Sequence, residues 1–495
     1  MVAVAQVVPR LIVSSIGLAL NFTARLMSNN ANDPDVCTTI AADHVFSCRS
    51  MTPLLGLPNY SACSPWLACP SSDFCDPRDH RSGKLRNNKE LASLPPSKRR
   101  CGCVGNSGHV AMGDRLVRSK GYPFETHEVA TEDGYLLQLH RIRHGRDGHC
   151  GANETGGACC GRGPVFVMTG LLADSASIVL DFPKQSLGYV LADNGYDVWL
   201  GNVRGNTYGK KHKNLNVKSK KFWNFSFHEH AIFDVPAQVD YVLKETKHKD
   251  LLYIGVSQGT LIFFTMLSEK PWYNDRIKAF AGLAPFFKLA HLKVPPLAVF
   301  SPYAEAPLRL VHAAGGYELL PQGMPIAGFV RQFCGYATRG MCSLLADNFA
   351  NFGSRYVNES RIPVYLCHMP AGTSMKNIIH YDQLVISKKF QKFDYGAFYN
   401  KDYYGKRSVP EYELSNVQTD LGIFWSAGDE FVPPEDVREL LASLQRHVKK
   451  SYYIDDPFYT HVHFLVSTTN GIYLHKELLG FLARYDGKGE LCPAA

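Results

Sequence analysis

The sequence predicts an α/β fold with a mostly parallel central sheet, interrupted before its last strands by a long insertion. Three observations carry this. From residue 164 onward, short continuous apolar runs alternate with helix-like stretches, the pattern of strands buried on both faces. One of these runs ends in Gly-x-Ser-x-Gly and passes directly into a helical stretch. The alternation then breaks between 286 and about 415 and resumes afterwards.

The chain opens on a different kind of segment. Arg10 precedes the apolar run LIVSSIGLAL at 11–20, too short for the roughly 20 residues that span a bilayer. With small residues at Gly17-Leu18-Ala19 it has the form of a signal-peptide core, so 1–24 is predicted to be a targeting segment. Residues 25–112 hold seven of the fourteen cysteines and little hydrophobic periodicity. They read as a leader or propeptide, or a small disulfide-stapled module, outside the main core. The cysteines show no repeated CxxC pairs, so they point to an oxidising compartment rather than to zinc. Sequons at Asn59, Asn153, Asn224 and Asn358 are glycosylation candidates in that compartment.

Composition narrows the class further. Hydrophobic residues at 45% and charged residues at 20% fit neither a disordered chain nor a membrane-spanning bundle. The net charge of +8 is modest for 495 residues, and no basic stripe supports nucleic-acid binding. The lysine clusters at 210–213 and 218–221 read as a solvated loop face.

From Gly121 the pattern becomes regular. Two alternating runs in 126–142 flank Asp133-Gly134, a hairpin signal. A Gly- and Cys-rich stretch at 146–163 reads as a loop insertion. The apolar runs are PVFVMTG (164–170), YDVWLGN (196–202), LLYIGVSQG (251–259), IKAFAGLAP (277–285) and LGIFWSAGD (421–429). The core therefore comprises 113–285 and 416–486, with 286–415 inserted between them.

Gly255-Val256-Ser257-Gln258-Gly259, between a strand and a helix, has the form of the nucleophile elbow of the α/β-hydrolase fold. A serine hydroxyl is barely nucleophilic at neutral pH, so it needs a general base oriented by a carboxylate. In this fold the order along the chain is Ser, acid, His. Asp429, at the end of the run LGIFWSAGD, is the candidate acid; Glu430 adjoins it, and Asp455 and Asp456 are more remote. The candidate bases are His447, His461, His463 and His475. His447 and His475 fall in helix-like stretches, whereas His461 follows the strand-like YYI, and His463 is near enough to project similarly. The second requirement is an oxyanion hole, for which the backbone N–H groups of Leu171 and Gln258 are the candidates. The His-Val-His pair lacks a carboxylate or cysteine cluster, so no metal and no cofactor are expected.

The stretch from about 113 to 485 resembles the acid lipase family, which includes gastric and lysosomal acid lipases. The resemblance rests on GYPFETHEVATEDGYLLQLHRI, GLLADSASIVL, LADNGYDVWLGNVRGNTYG, FWNFSFHEHAIFDVPAQVDYVL, GVSQGT, LAPF, MPAGTS, AGDEFVPPEDV and YTHVHF, in that order. It implies Ser257 as nucleophile, Asp429 as acid, His461 as base, and Leu171 and Gln258 as oxyanion donors. It also implies that 286–415 is a cap with a lid, and that Cys334 and Cys342 form a short disulfide within it. Three positions depart from the family pattern: Thr169 and Val256 stand where it usually has His, and His463 where it usually has Asp.

The expected activity is hydrolysis of neutral-lipid esters, triacylglycerols or sterol esters, at a lipid–water interface. The protein would be secreted or lysosomal and make peripheral contact with lipid surfaces. The rivals are a carboxylesterase for soluble short-chain esters and a catalytically silent lipid-binding protein on the same scaffold.

Overall fold

The computed structural model describes residues 116–146, 161–322, 354–358, 361, 364–365 and 368–486. The expected targeting segment 1–24, the whole leader 25–112, Asn59, Asn153, Cys334 and Cys342 lie outside the described residues. Residues 107–324, 349–358 and 368–495 form one compact unit, and every element named below belongs to it. Of the second unit, only Arg361, Val364 and Tyr365 are described.

The strands are β1 (Glu125–Ala130), β2 (Tyr135–Ile142), β3 (Pro164–Met168), β4 (Asp197–Leu200), β5 (Lys211–His212), β6 (Leu251–Val256), β7 (Ile277–Leu283), β8 (Glu318–Leu319), β9 (Thr373–Ser374), β10 (Asp420–Ser426) and β11 (Val448–Ile454). The main sheet runs β1-β2-β4-β3-β6-β7-β10-β11, with β5 on β2. Only the hairpin end is antiparallel; from β4 to β11 every pairing is parallel. The predicted hairpin forms with Gly134 at φ 100°, a conformation that glycine adopts freely. Strands β3 and β6 are buried along their whole length, as their unbroken apolar runs require. The edge strand β11 instead alternates between exposed and half-buried residues until Ile454.

Among the described residues the longer helices are α1 (Leu187–Asp193), α2 (Val235–Thr246), α3 (Gln258–Glu269), α4 (Pro295–Ala313), α5 (Met375–Ser387), α6 (Ala397–Tyr404), α7 (Pro434–Ser443) and α8 (Lys476–Leu482). Helix α3 is buried from Gln258 to Ser268, so it is apolar all round. Its Phe263 ring stacks on Phe280 of β7 at 3.7 Å, in a core shared with Val235, Val239 and Val242 of α2.

Register brings the functional ends together. Met168 pairs with Gly255, Val256 with Leu283, and Leu283 with Phe424. The loops leaving the carboxyl ends of β3, β6, β7 and β10 therefore start side by side, where open α/β sheets place their sites. Beneath them Arg204, 2% exposed in its side chain, is held between Asp234 and Asp133. Removing either acid would leave the buried guanidinium with a single charged partner.

The insertion leaves the sheet after β7 and returns at β10, although these two strands are hydrogen-bonded neighbours. Its described part contains α4, α5, α6 and a small β8–β9 ribbon. It touches three of the carboxyl-end loops. Lys293 N–H donates to the Glu430 carbonyl at 2.9 Å, and Ala371 N–H to the Leu172 carbonyl at 2.7 Å. Asn377 Nδ2 donates to Gln258 Oε1 at 2.9 Å.

Two local expectations need correction. The run LGIFWSAGD does not remain a strand to Asp429, because β10 stops at Ser426. A Cβ on Gly428 would come within 2.4 Å of the Pro457 carbonyl oxygen, so the chain turns there and Asp429 sits three residues past the strand. His447 lies in the turn before β11 rather than in a helix, and its carbonyl caps that turn by accepting Leu421 N–H.

Candidate active site

Ser257 occupies φ 53°, ψ −116°, a region where a residue with a side chain is strained and persists only if its surroundings enforce it. Here they do. Ser257 N–H donates to the Leu283 carbonyl at 3.0 Å, and the Ser257 carbonyl accepts Thr260 N–H at 2.9 Å and Thr260 Oγ1 at 2.6 Å. The two motif glycines allow the turn to close. A Cβ on Gly255 would lie 2.9 Å from Gly259 backbone, and one on Gly259 would lie 2.2 Å from the Met168 carbonyl oxygen. With strand β6 leading directly into α3 through this turn, the serine side chain stands at the sheet's carboxyl edge, 8% exposed as a residue.

Two distant residues reach it. His461, in the loop after β11, has Nε2 2.8 Å from Ser257 Oγ and Nδ1 2.8 Å from Asp429 Oδ2. The other oxygen of Asp429, Oδ1, accepts the N–H groups of Phe431 and Val432 at 3.0 and 2.9 Å. The carboxylate is 2% exposed, so both its oxygens are committed and the imidazole has one orientation open to it. Rings of Phe286 and Phe431, 5.3 and 5.1 Å away between centroids, flank His461. This is a serine–histidine–carboxylate hydrogen-bond relay with aromatic walls.

His463 plays another part. It opens the short helix His463–Val466, is fully buried, and its Nδ1 accepts Thr460 N–H at 2.7 Å. It supplies an acceptor where the family pattern has an Asp, and anchors the loop that carries His461. The two rings of His-Val-His thus have separate partners and do not form a ligand pair.

The loop after β3 lies against the serine: a Cβ on Gly170 would be 3.1 Å from Ser257 Cβ and 3.4 Å from its Oγ. Leu171 follows, and Leu172 turns at φ 59°, its carbonyl tied to Ala371 as above. Thr169 bonds Ser177 at 2.7 Å between hydroxyls, and Val256 is buried in β6. Neither departure enters the relay. Gln258 is the first residue of α3, where amide N–H groups lack intrahelical partners and the helix dipole favours negative charge. Its side chain is held by Asn377 and by Tyr381, whose hydroxyl donates to Gln258 Oε1 at 3.2 Å.

The predicted Ser257, Asp429 and His461 therefore meet, and Leu171 and Gln258 border them. Glu430, Asp455, Asp456, His447 and His475 form no part of the relay. Phe286, Phe431, Asn377 and Tyr381 were not foreseen; the last two lie over a hundred residues from Gln258, and no local pattern marks them. Asn224 is exposed and Asn358 half-buried. Among the described residues, His291, Asp436 and Glu439 bring candidate ligand atoms within 4.8 Å of one another. Their contacts are internal, His291 bonding Asp436 and Lys288 pairing with Glu439.

Comparison with known proteins agrees with this architecture. Residues 163–466 match the family described as alpha/beta hydrolase fold, and residues 114–181 match the partial alpha/beta-hydrolase lipase region. The chain is 37% identical over 390 residues to gastric triacylglycerol lipase of Bos taurus, covering 77% of this chain and 94% of that one. It is 34% identical over 376 residues to human lysosomal acid lipase/cholesteryl ester hydrolase, covering 75% and 90%. It is also 35% identical over 378 residues to Lipase 3 of Drosophila melanogaster, covering 76% and 93%.

Proposed function

The chain belongs to the acid lipase family of α/β-hydrolases, and we propose from this that it cleaves carboxylic esters of neutral lipids through an acyl-enzyme at Ser257. The observation that carries the reading is the unbroken hydrogen-bond relay from Asp429 through His461 to Ser257. The relatives named for triacylglycerol and cholesteryl ester hydrolysis support the choice of lipid esters.

His461 Nε2 takes the Ser257 proton as Oγ attacks the ester carbonyl. The carbonyl oxygen, now anionic, accepts the N–H groups of Leu171 and Gln258. Collapse expels the alcohol, which takes the proton from His461, and a water activated by the same imidazole then releases the fatty acid. Asp429 holds the imidazole tautomer and stabilises its cation.

The described part of 286–415 within this unit acts as a cap over this site, supported by its bonds to Leu172, Gln258 and Glu430. A long acyl chain needs such a dry cover, since each buried methylene contributes about 0.8 kcal/mol. Val299, Tyr303 and Leu310 on α4 are 61%, 77% and 71% exposed and offer a surface for lipid contact. The protein works in a secretory or lysosomal compartment, a reading supported by the run at 11–20, the cysteines and the named relatives. No helix among the described residues is long and apolar enough to cross a membrane.

Labelling by a fluorophosphonate ester, paired with turnover of emulsified esters of increasing chain length, tests the reading. Labelling should vanish in Ser257→Ala, and long-chain emulsions should be preferred over soluble short-chain esters. Labelling without lipid turnover would instead support the soluble-ester activity.

A further inference from the structure

Away from the relay, a cavity of about 280 Å³ opens between the loop before Ser226 and helix α6, lined by Asn224, Glu229, Lys376, Tyr395, Tyr403 and Tyr404 among others. That is just below the range typical of drug-sized ligands, and suits one sugar ring. Its walls have two chemistries. Tyr395 and Tyr403 stack at 4.0 Å with 11° between planes, and Tyr403 is 63% exposed, so an aromatic shelf faces the opening. Beside it stands an ion pair: Lys376 Nζ is 3.5 Å from Glu229 Oε1 and 3.2 Å from the Tyr395 hydroxyl. Burial alone would raise the Glu229 carboxyl, but Lys376 and nearby donors bring it down to about 2, so it stays an ionised acceptor. A pyranose ring matches both, with C–H faces for the aromatics and hydroxyl or acetamido edges for charged partners.

The rim of the cavity carries its own attachment point. Asn224-Phe225-Ser226 is a sequon, and Asn224 is exposed between buried Trp223 and Phe225. Ser226 becomes fully buried on folding, its hydroxyl accepting His228 N–H, so modification must precede folding. We propose that Asn224 is N-glycosylated and that the first N-acetylhexosamine of its glycan seats in this cavity, packed against the outer face of Tyr403 and hydrogen-bonded to Glu229 and Lys376. In the attachment step Asn224 Nδ2 bonds the anomeric carbon and gives up a proton. The donor, a polyprenyl diphosphate-linked oligosaccharide, leaves as the polyprenyl diphosphate.

This inference rests on the secretory reading of the compartment. The test uses the full chain secreted from insect cells, with occupancy of each sequon read by glycosidase release in heavy-oxygen water and mass spectrometry. Asn224 should be occupied. Enzymatic trimming of the native protein should be several-fold slower at Asn224 than in Tyr403→Ala, a change at a ring that is 63% exposed. Asn224→Gln should lower Tm by about 2 °C, with no further loss on adding Tyr403→Ala. Unmodified Asn224 in material glycosylated elsewhere overturns the site alone, and equal trimming rates overturn the seat. Material with sugar at no sequon overturns the compartment reading, and this inference with it.

Discussion

Asn377 Nδ2 donates to Gln258 Oε1 at 2.9 Å, joining helix α5 of the insertion to the residue that follows the nucleophile. Asn377 is itself fixed, its Oδ1 accepting Phe227 N–H at 2.7 Å and its N–H bonded to Ser374 Oγ at 3.0 Å. The clamp holds the Gln258 side chain at the first turn of α3, on the residue whose N–H is the proposed oxyanion donor. Losing a whole oxyanion donor costs about 10²–10³ in kcat, so a misaimed one should cost less. Asn377→Ala is expected to lower kcat about 10-fold with KM nearly unchanged. In a Gln258→Met background the same substitution should cost nothing further. A full additional loss in that background, or a change confined to Tm, would remove the positioning role.

Ser257→Ala and His461→Ala should each abolish most ester turnover while leaving the circular dichroism spectrum and Tm near those of the parent. Asp429→Asn should lower kcat strongly by releasing the imidazole tautomer; the equivalent change in a serine protease costs about 10⁴-fold. His463→Ala should act differently, loosening the His461 loop through loss of the bond to Thr460, with a smaller fall in rate and a lower Tm. Retained activity in His461→Ala would refute the assignment of the base.

The elbow is built on contact rather than on chain flexibility alone. Gly259→Ala would drive a methyl to 2.2 Å from the Met168 carbonyl oxygen, an atom of the β3 backbone that cannot swing aside as a side chain could. Overpacking of this kind costs about 1–3 kcal/mol or more. Chemical denaturation should show a loss at the upper end of that range, accompanied by loss of fluorophosphonate labelling as Ser257 shifts. A stable, fully labelled variant would show that β3 and α3 can separate without disturbing the site.

His230 is fully buried, and burial, aided by Arg204, pushes its pKa down to about 3. The unfolded chain takes up that proton near 6.5, the folded chain only near 3, so stability is lost as pH falls through this window. Each unit costs about 1.4 kcal/mol, or roughly 2 kcal/mol by pH 5. Buried Asp174 and Asp234, both raised to about 6, act in the opposite sense: their contribution is present at low pH and lost as pH rises through 6. The clean readout is therefore a difference. His230→Met should gain on the parent protein by about that amount between pH 7.5 and pH 5, measured by denaturant titration at both. A constant difference would mean that His230 is not held neutral.

Much of this molecule is written in local signals. Continuous apolar runs marked the parallel strands, because a strand buried on both faces has no polar face to show. Gly255 and Gly259 around Ser257 marked the elbow, because a strained turn pressed against backbone tolerates no side chain there. The order Ser257, Asp429, His461 followed from the topology those strands imply. Other features arise only when distant segments meet. Residue periodicity left His461 and His463 both open as the base, and the family resemblance chose between them. In the fold, Thr460 N–H captures His463 while Asp429 and Ser257 hold His461. The end of β10 at Ser426 depends on the approach of Pro457 to Gly428. Likewise the hold of Asn377 on Gln258 depends on an insertion folding back onto the sheet edge, and the aromatic walls of Phe286 and Phe431 on the loops after β7 and β10 meeting at His461. Hydrogen bonds and ring contacts between different loops leave no periodicity in the chain, so only tertiary packing decides them.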